Sequence, residues 1–160
     1  MCIRDSLVVV KSISKSYGVP GLRLGVLVSS DKELVRKLRS ACAIWNINSF
    51  GEYYMQIFGK YEKSYDEACR KIRKVRDTLY EELQAVDYLR VMPSAANYFL
   101  CEVTSRFTAG ELTRILLDRY NLLIKDCSGK RGFPSGAQYI RIAVRDTADN
   151  RALTDALKSL

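Results

Sequence analysis

The sequence contains no histidine. The usual general base of a Ser-His or Cys-His hydrolase is therefore excluded, and any chemistry must come from lysine, carboxylate, tyrosine or a cofactor. No apolar run approaches the roughly 20 residues that span a bilayer, and residues 7–10 are too few for the core of a signal peptide. A cytoplasmic setting with no membrane partner is the expectation. The cysteines, Cys2, Cys42, Cys69, Cys101 and Cys127, are odd in number and include no C-x-x-C pair, so neither a disulfide framework nor a metal site is expected. Internal repeats, low-complexity tracts and flexible linkers are also lacking.

What is present is the balance of a folded globular chain: 160 residues, 48% apolar and 28% charged, with ten tyrosines and five phenylalanines. The net charge of +8 favours anionic partners. Much of it sits in Arg70, Lys71, Arg73, Lys74 and Arg76, and Asp66, Glu67 and Asp77 stand four residues from Arg70, Lys71 and Arg73. That pattern reads as a solvated helix face. With no aromatic-interleaved RNA-binding signature and no helix-turn-helix pattern, nucleic acid is not expected as a partner. A non-catalytic binding module using this basic helix is the rival from another functional class.

Residues 1–6 show no periodicity and read as a non-native scar. Residues 7–11 and 22–28 read as strands flanking a turn that holds Gly18, Pro20 and Gly21. Ser30 or Asp31 caps a helix, and a second helix starts near Asn48 or Ser49. Apolar residues at three- and four-residue intervals predict a long helix over residues 62–86. Beyond Pro93 come strands at 98–103, 122–125 and 139–144 and helices at 109–120 and 148–160, a small α+β layer of its own.

The informative window is Ser12-Ile-Ser-Lys15-Ser-Tyr-Gly18-Val-Pro-Gly21-Leu-Arg23-Leu-Gly25. Ser12-x-x-Lys15 also matches the nucleophile motif of serine β-lactamases, whose Ser-Asp-Asn and Lys-Thr-Gly partners are missing. The glycines are not followed by Gly-Lys-Ser/Thr and lack G-x-G-x-x-G spacing, which excludes two common phosphate-binding loops. What remains resembles the lysine signature of aminotransferase class I/II enzymes, in which Ser-x-x-Lys is followed by glycines and then Arg-x-Gly. The resemblance implies pyridoxal 5'-phosphate (PLP) as cofactor, with Lys15 as the Schiff-base lysine. It also implies that Arg23 and the hydroxyl of Ser12 bind the cofactor phosphate, a planar fork donor beside a short hydroxyl donor. Ser14 is a further cofactor-binding candidate.

A second window, Asn121-Leu-Leu-Ile-Lys-Asp-Cys-Ser-Gly followed by Gln138-Tyr-Ile-Arg141-Ile-Ala-Val-Arg, is similar to the ending of histidinol-phosphate aminotransferases and threonine-phosphate decarboxylases. That resemblance makes Arg141 the group that grips the substrate α-carboxylate and so sets the reaction geometry. Lys125 and Arg145 could reach a phosphorylated substrate. Trp45 fits the stretch after the lysine region and Asn97 the start of a small-domain strand, with no chemistry assigned to either.

The fold implied is an α/β PLP-transferase fold, present as its C-terminal part. Residues 7–61 would end the large PLP-binding domain, 62–86 would form the interdomain helix, and 87–160 the small C-terminal domain. The N-terminal half, with the aromatic and aspartate that hold the cofactor ring, would be missing, so the chain alone should not catalyse. The reaction implied is amino-group transfer between an amino acid and a 2-oxo acid by a homodimer when full length. Decarboxylation of a phosphorylated amino acid is the alternative within the family.

Overall fold

The computed structural model describes residues 7–160, and the expected scar at residues 1–6 lies outside them. Two units divide the chain, Met1–Asp66 and Glu67–Leu160.

In the first unit, strands β1 (Val8–Ser12) and β2 (Gly25–Ser29) pair antiparallel, with Val8 opposite Ser29 and Ser12 opposite Gly25. Consecutive valines suit the pleat, yet within this unit much of the ribbon is exposed: Val10 is 73% and Val28 60% exposed. Between the strands lie a four-residue helix, α1 (Ile13–Ser16), and a 3-10 turn at Pro20–Leu22. The second strand starts at Gly25 rather than at the expected residue 22. The reason is local: the proline presets a helical φ, and Arg23 then adopts a left-handed backbone that no strand can accommodate. Helix α2 (Lys32–Ala41) is capped by Asp31, whose carboxylate accepts from the amides of Glu33 and Leu34 at 2.9 Å. Helix α3 (Ser49–Ile57) is capped by Asn48. Helix α4 (Glu62–Gln84) begins in this unit and continues into the next, two residues shorter at its end than expected.

The second unit is built on an antiparallel sheet in the order β3-β4-β6-β5: β3 (Leu89–Val91), β4 (Tyr98–Val103), β5 (Lys125–Asp126) and β6 (Tyr139–Ala143). Helices α5 (Ala109–Tyr120) and α6 (Thr147–Lys158) join α4 in burying one side of it. Leu79 and Leu83 of α4 meet Phe99, Leu112, Leu116, Ile140, Ile142 and Leu157 in one core, each of them at most 1% exposed. Alternation on β6 decides what faces outward. Ile140 and Ile142 are buried, so Arg141 between them points to the open side. The charged face of α4 is solvated, as its pattern implied: Arg70, Lys71 and Arg73 are exposed. Among the described residues, Arg76 pairs with the adjacent Asp77 at 3.0 Å.

Two buried acids in this core set an alkaline limit. Tyr88 is held by its hydroxyl donating to the Leu157 carbonyl at 2.6 Å, and burial, partly opposed by the Arg106 guanidinium and aided by Asp87, pushes its pKa up to about 12. Burial likewise pushes the Cys101 thiol up to about 12. The folded chain keeps both protons where the unfolded chain loses them, near 9.0 for the thiol and 10.0 for the phenol. Their contribution to stability is therefore full below about pH 9 and is lost as pH rises toward 12, by about 1.4 kcal/mol per group for each unit beyond the unfolded value. Urea midpoints measured at rising pH should show that decline. A Tyr88→Phe, Cys101→Ala chain should start less stable, from the lost hydrogen bond and volume, and decline less steeply.

Candidate active site

The turn carrying Lys15 is closed by one serine. The Ser14 hydroxyl donates to the Leu24 carbonyl at 3.2 Å and accepts from the Leu24 amide at 2.9 Å, and the Ser14 amide also bonds the Leu24 carbonyl at 3.3 Å. The residue before Lys15 is thus fastened to the residue after Arg23, which ties the two positions to the ends of one closed turn. Ser14 is a further cofactor-binding candidate. Its side chain is buried at 5% exposure and engaged with the Leu24 backbone. Ser12, at the N-cap of α1, makes no capping bond with its side chain. Among the described residues no hydrogen bond or ion pair engages the Lys15 Nζ or the Ser12 Oγ, and Arg23 reaches only the Pro20 carbonyl at 3.5 Å. An amine, a hydroxyl and a guanidinium are therefore exposed on this turn, with all but one of their donors free of protein partners among the described residues.

Arg23 has φ 55° and ψ 36°. This left-handed backbone costs a residue with a side chain roughly 1–2 kcal/mol, so neighbouring contacts must hold it. Helix α3 supplies some of them. The Asn48 Nδ2 donates to the Leu22 carbonyl at 3.0 Å, while its Oδ1 accepts from the Gly51 amide at 2.9 Å. Gly51 is buried against Leu24, whose Cδ2 would lie 2.9 Å from any Cβ added there, so the glycine admits Leu24 to the helix. On the other side of the turn, the Tyr65 hydroxyl donates to the Ser16 carbonyl at 2.9 Å, and the rings of Tyr17, Phe58 and Tyr65 pack with centroids 4.7–5.8 Å apart. Sequence reading placed Asn48 only as a helix start. Its second bond, and that of Tyr65, span 26 and 49 residues and leave no local signal.

In the second unit, Arg141 stands exposed on β6 with its guanidinium 5.4 Å from the centre of the Tyr98 ring. Strand register sets Lys125 of β5 directly opposite it. Arg145 is engaged by Asp149 at 2.9 Å and is less free to meet a ligand. Asp126 is occupied as well, accepting from the amide and hydroxyl of Ser128 at 2.8 and 2.6 Å.

The family described as aminotransferase class I and II matches residues 3–157. The chain is 37% identical over 155 residues to the CMP-5'-(3-aminopropyl)phosphonate synthase of Streptomyces rubellomurinus, covering 97% of this chain and 24% of that protein. It is 31% identical over 157 residues to the L-serine phosphate decarboxylase of Sulfurospirillum multivorans, covering 97% and 39%. The crystal structure of the histidinol-phosphate aminotransferase from Clostridium acetobutylicum superposes with a TM-score of 0.86 at 27% identity, over 97% of this chain and 46% of that one. The chain thus spans less than half the length of these relatives.

Proposed function

Since the chain belongs to the aminotransferase class I and II family, whose cofactor is PLP, we propose that it forms the C-terminal part of a decarboxylase acting on a phosphorylated amino acid. In this reading residues 7–61 complete the large PLP-binding domain, α4 (Glu62–Gln84) forms the connecting helix and the residues after it the small domain. The observation that carries the choice of a phosphorylated amino acid as substrate is the cross-strand pair Arg141 and Lys125. Like charges directly opposite on a sheet destabilise it, and a substrate bearing both a carboxylate and a phosphate would neutralise them. The similarity to an L-serine phosphate decarboxylase supports that substrate and favours decarboxylation as the reaction. Amino-group transfer, the reaction first expected from the lysine window, keeps the support of the histidinol-phosphate aminotransferase fold and is the second reading.

The residues of the turn fit the cofactor, because the exposed amine, hydroxyl and guanidinium are the donor set that an aldehyde and a phosphate require. When bound, PLP supplies the electron sink that lets one bond at the substrate Cα break. Lys15 would hold the cofactor through Nζ and, once released by substrate, carry the proton delivered to Cα. Arg23 and Ser12 would hold the cofactor phosphate. Arg141 would clamp the substrate carboxylate in the orientation that decides which Cα bond breaks, and Lys125 would hold the substrate phosphate.

Incubating the protein that joins this chain to the rest of the fold with L-serine phosphate and L-threonine phosphate tests the reading. Release of carbon dioxide at stoichiometry with substrate consumed is the expected result. Consumption that requires a 2-oxo acid and releases no carbon dioxide would replace decarboxylation with transamination.

A further inference from the structure

We infer that Asn48 is a positioning residue that aims Arg23 at the cofactor phosphate, an inference that rests on the cofactor site proposed above. The two peptide planes flanking Arg23 are each pinned by a side chain. On one side the Leu22 carbonyl accepts from Asn48 Nδ2 at 3.0 Å, which fixes the plane that sets φ. On the other, the Leu24 amide donates to the Ser14 hydroxyl at 2.9 Å, which fixes the plane that sets ψ. Arg23 sits between them in the left-handed region, at φ 55°, where a residue other than glycine stays only under restraint. Asn48 has a second, separable task in the same side chain: its Oδ1 caps α3 by accepting from the Gly51 amide at 2.9 Å. Loss of the Nδ2 donor alone frees the Leu22 plane, lets Arg23 relax toward negative φ and swings the guanidinium away from the turn that holds Lys15. The helix keeps its cap.

Asn48→Ser separates the two tasks, because serine caps a helix as well as asparagine but is too short to reach the Leu22 carbonyl while doing so. Cofactor affinity is read by equilibrium dialysis of the apoenzyme of the joined protein against PLP and against pyridoxal, which has the aldehyde and ring but no phosphate. The expected result is PLP binding weakened by about tenfold, a loss of roughly one charged hydrogen bond's strength, with pyridoxal binding unchanged. Equal weakening of both ligands, or of neither, overturns the role of Asn48. Arg23→Gln is the control for the underlying site. If it weakens PLP and Asn48→Ser does not, the positioning role alone fails; if it also leaves PLP binding intact, the cofactor site itself is misplaced. Should the serine variant not accumulate, Asn48→Thr, a second short cap, takes its place with the same two outcomes.

Discussion

Lys15→Ala, in the protein that joins this chain to the rest of the fold, is expected to lower turnover by about three orders of magnitude. A positioned proton carrier is worth roughly 10²–10⁴ in rate, and the account gives Lys15 that task as well as the hold on the cofactor aldehyde. The folded state should scarcely notice the change. Lys15 is exposed, and the turn around it is closed by Ser14, Asn48 and Tyr65 through bonds that do not involve the lysine side chain. Single-turnover kinetics together with a thermal melt check both halves. A variant that melts with the parent but turns over within a factor of ten of it would remove Lys15 from the chemistry.

Arg141→Ala should cost about two orders of magnitude in kcat/KM, because removing one partner of a desolvated charge pair typically costs 2–5 kcal/mol. Arg141→Lys should recover only part of it, since an ammonium supplies a point charge where the carboxylate was clamped by a planar fork. The position is open on β6 and its neighbours Ile140 and Ile142 carry the burial, so stability should move by less than about 0.5 kcal/mol. Lys125→Ala gives the contrast. It should penalise phosphorylated substrates and spare an analogue without the phosphate, whereas Arg141→Ala should penalise both.

The helices were legible where a polar cap precedes a periodic apolar run. Asp31 and Asn48 sit at the starts read from the sequence, and the α4 and α5 spans lie within two residues of those expected. The strands were less so. The apolar run Leu122-Leu123-Ile124 reads as a strand, yet Asn121 leaves α5 in the left-handed region, Leu123 is 76% exposed, and pairing begins only at Lys125. Strand β3, three residues long, and α1, four residues long, are too short to show a period. For the proposed site, sequence offered Ser12, Lys15, Arg23 and Arg141 as candidates, because each lies in one local window. It did not supply what holds them. The Ser14–Leu24 clasp, the Asn48 bond to Leu22 and the setting of Lys125 opposite Arg141 are products of chain closure over 10, 26 and 16 residues, and a side chain that reaches that far leaves no pattern in its own neighbourhood.

The central claim is that the Lys15 amine carries the cofactor on the turn that Ser14 closes. Borohydride reduction of the PLP-loaded protein, followed by proteolysis and mass mapping, tests it most directly. The account predicts the reduced pyridoxyl group on Lys15 and its loss in Lys15→Ala; a pyridoxyl group fixed on another lysine, with none on Lys15, would contradict it.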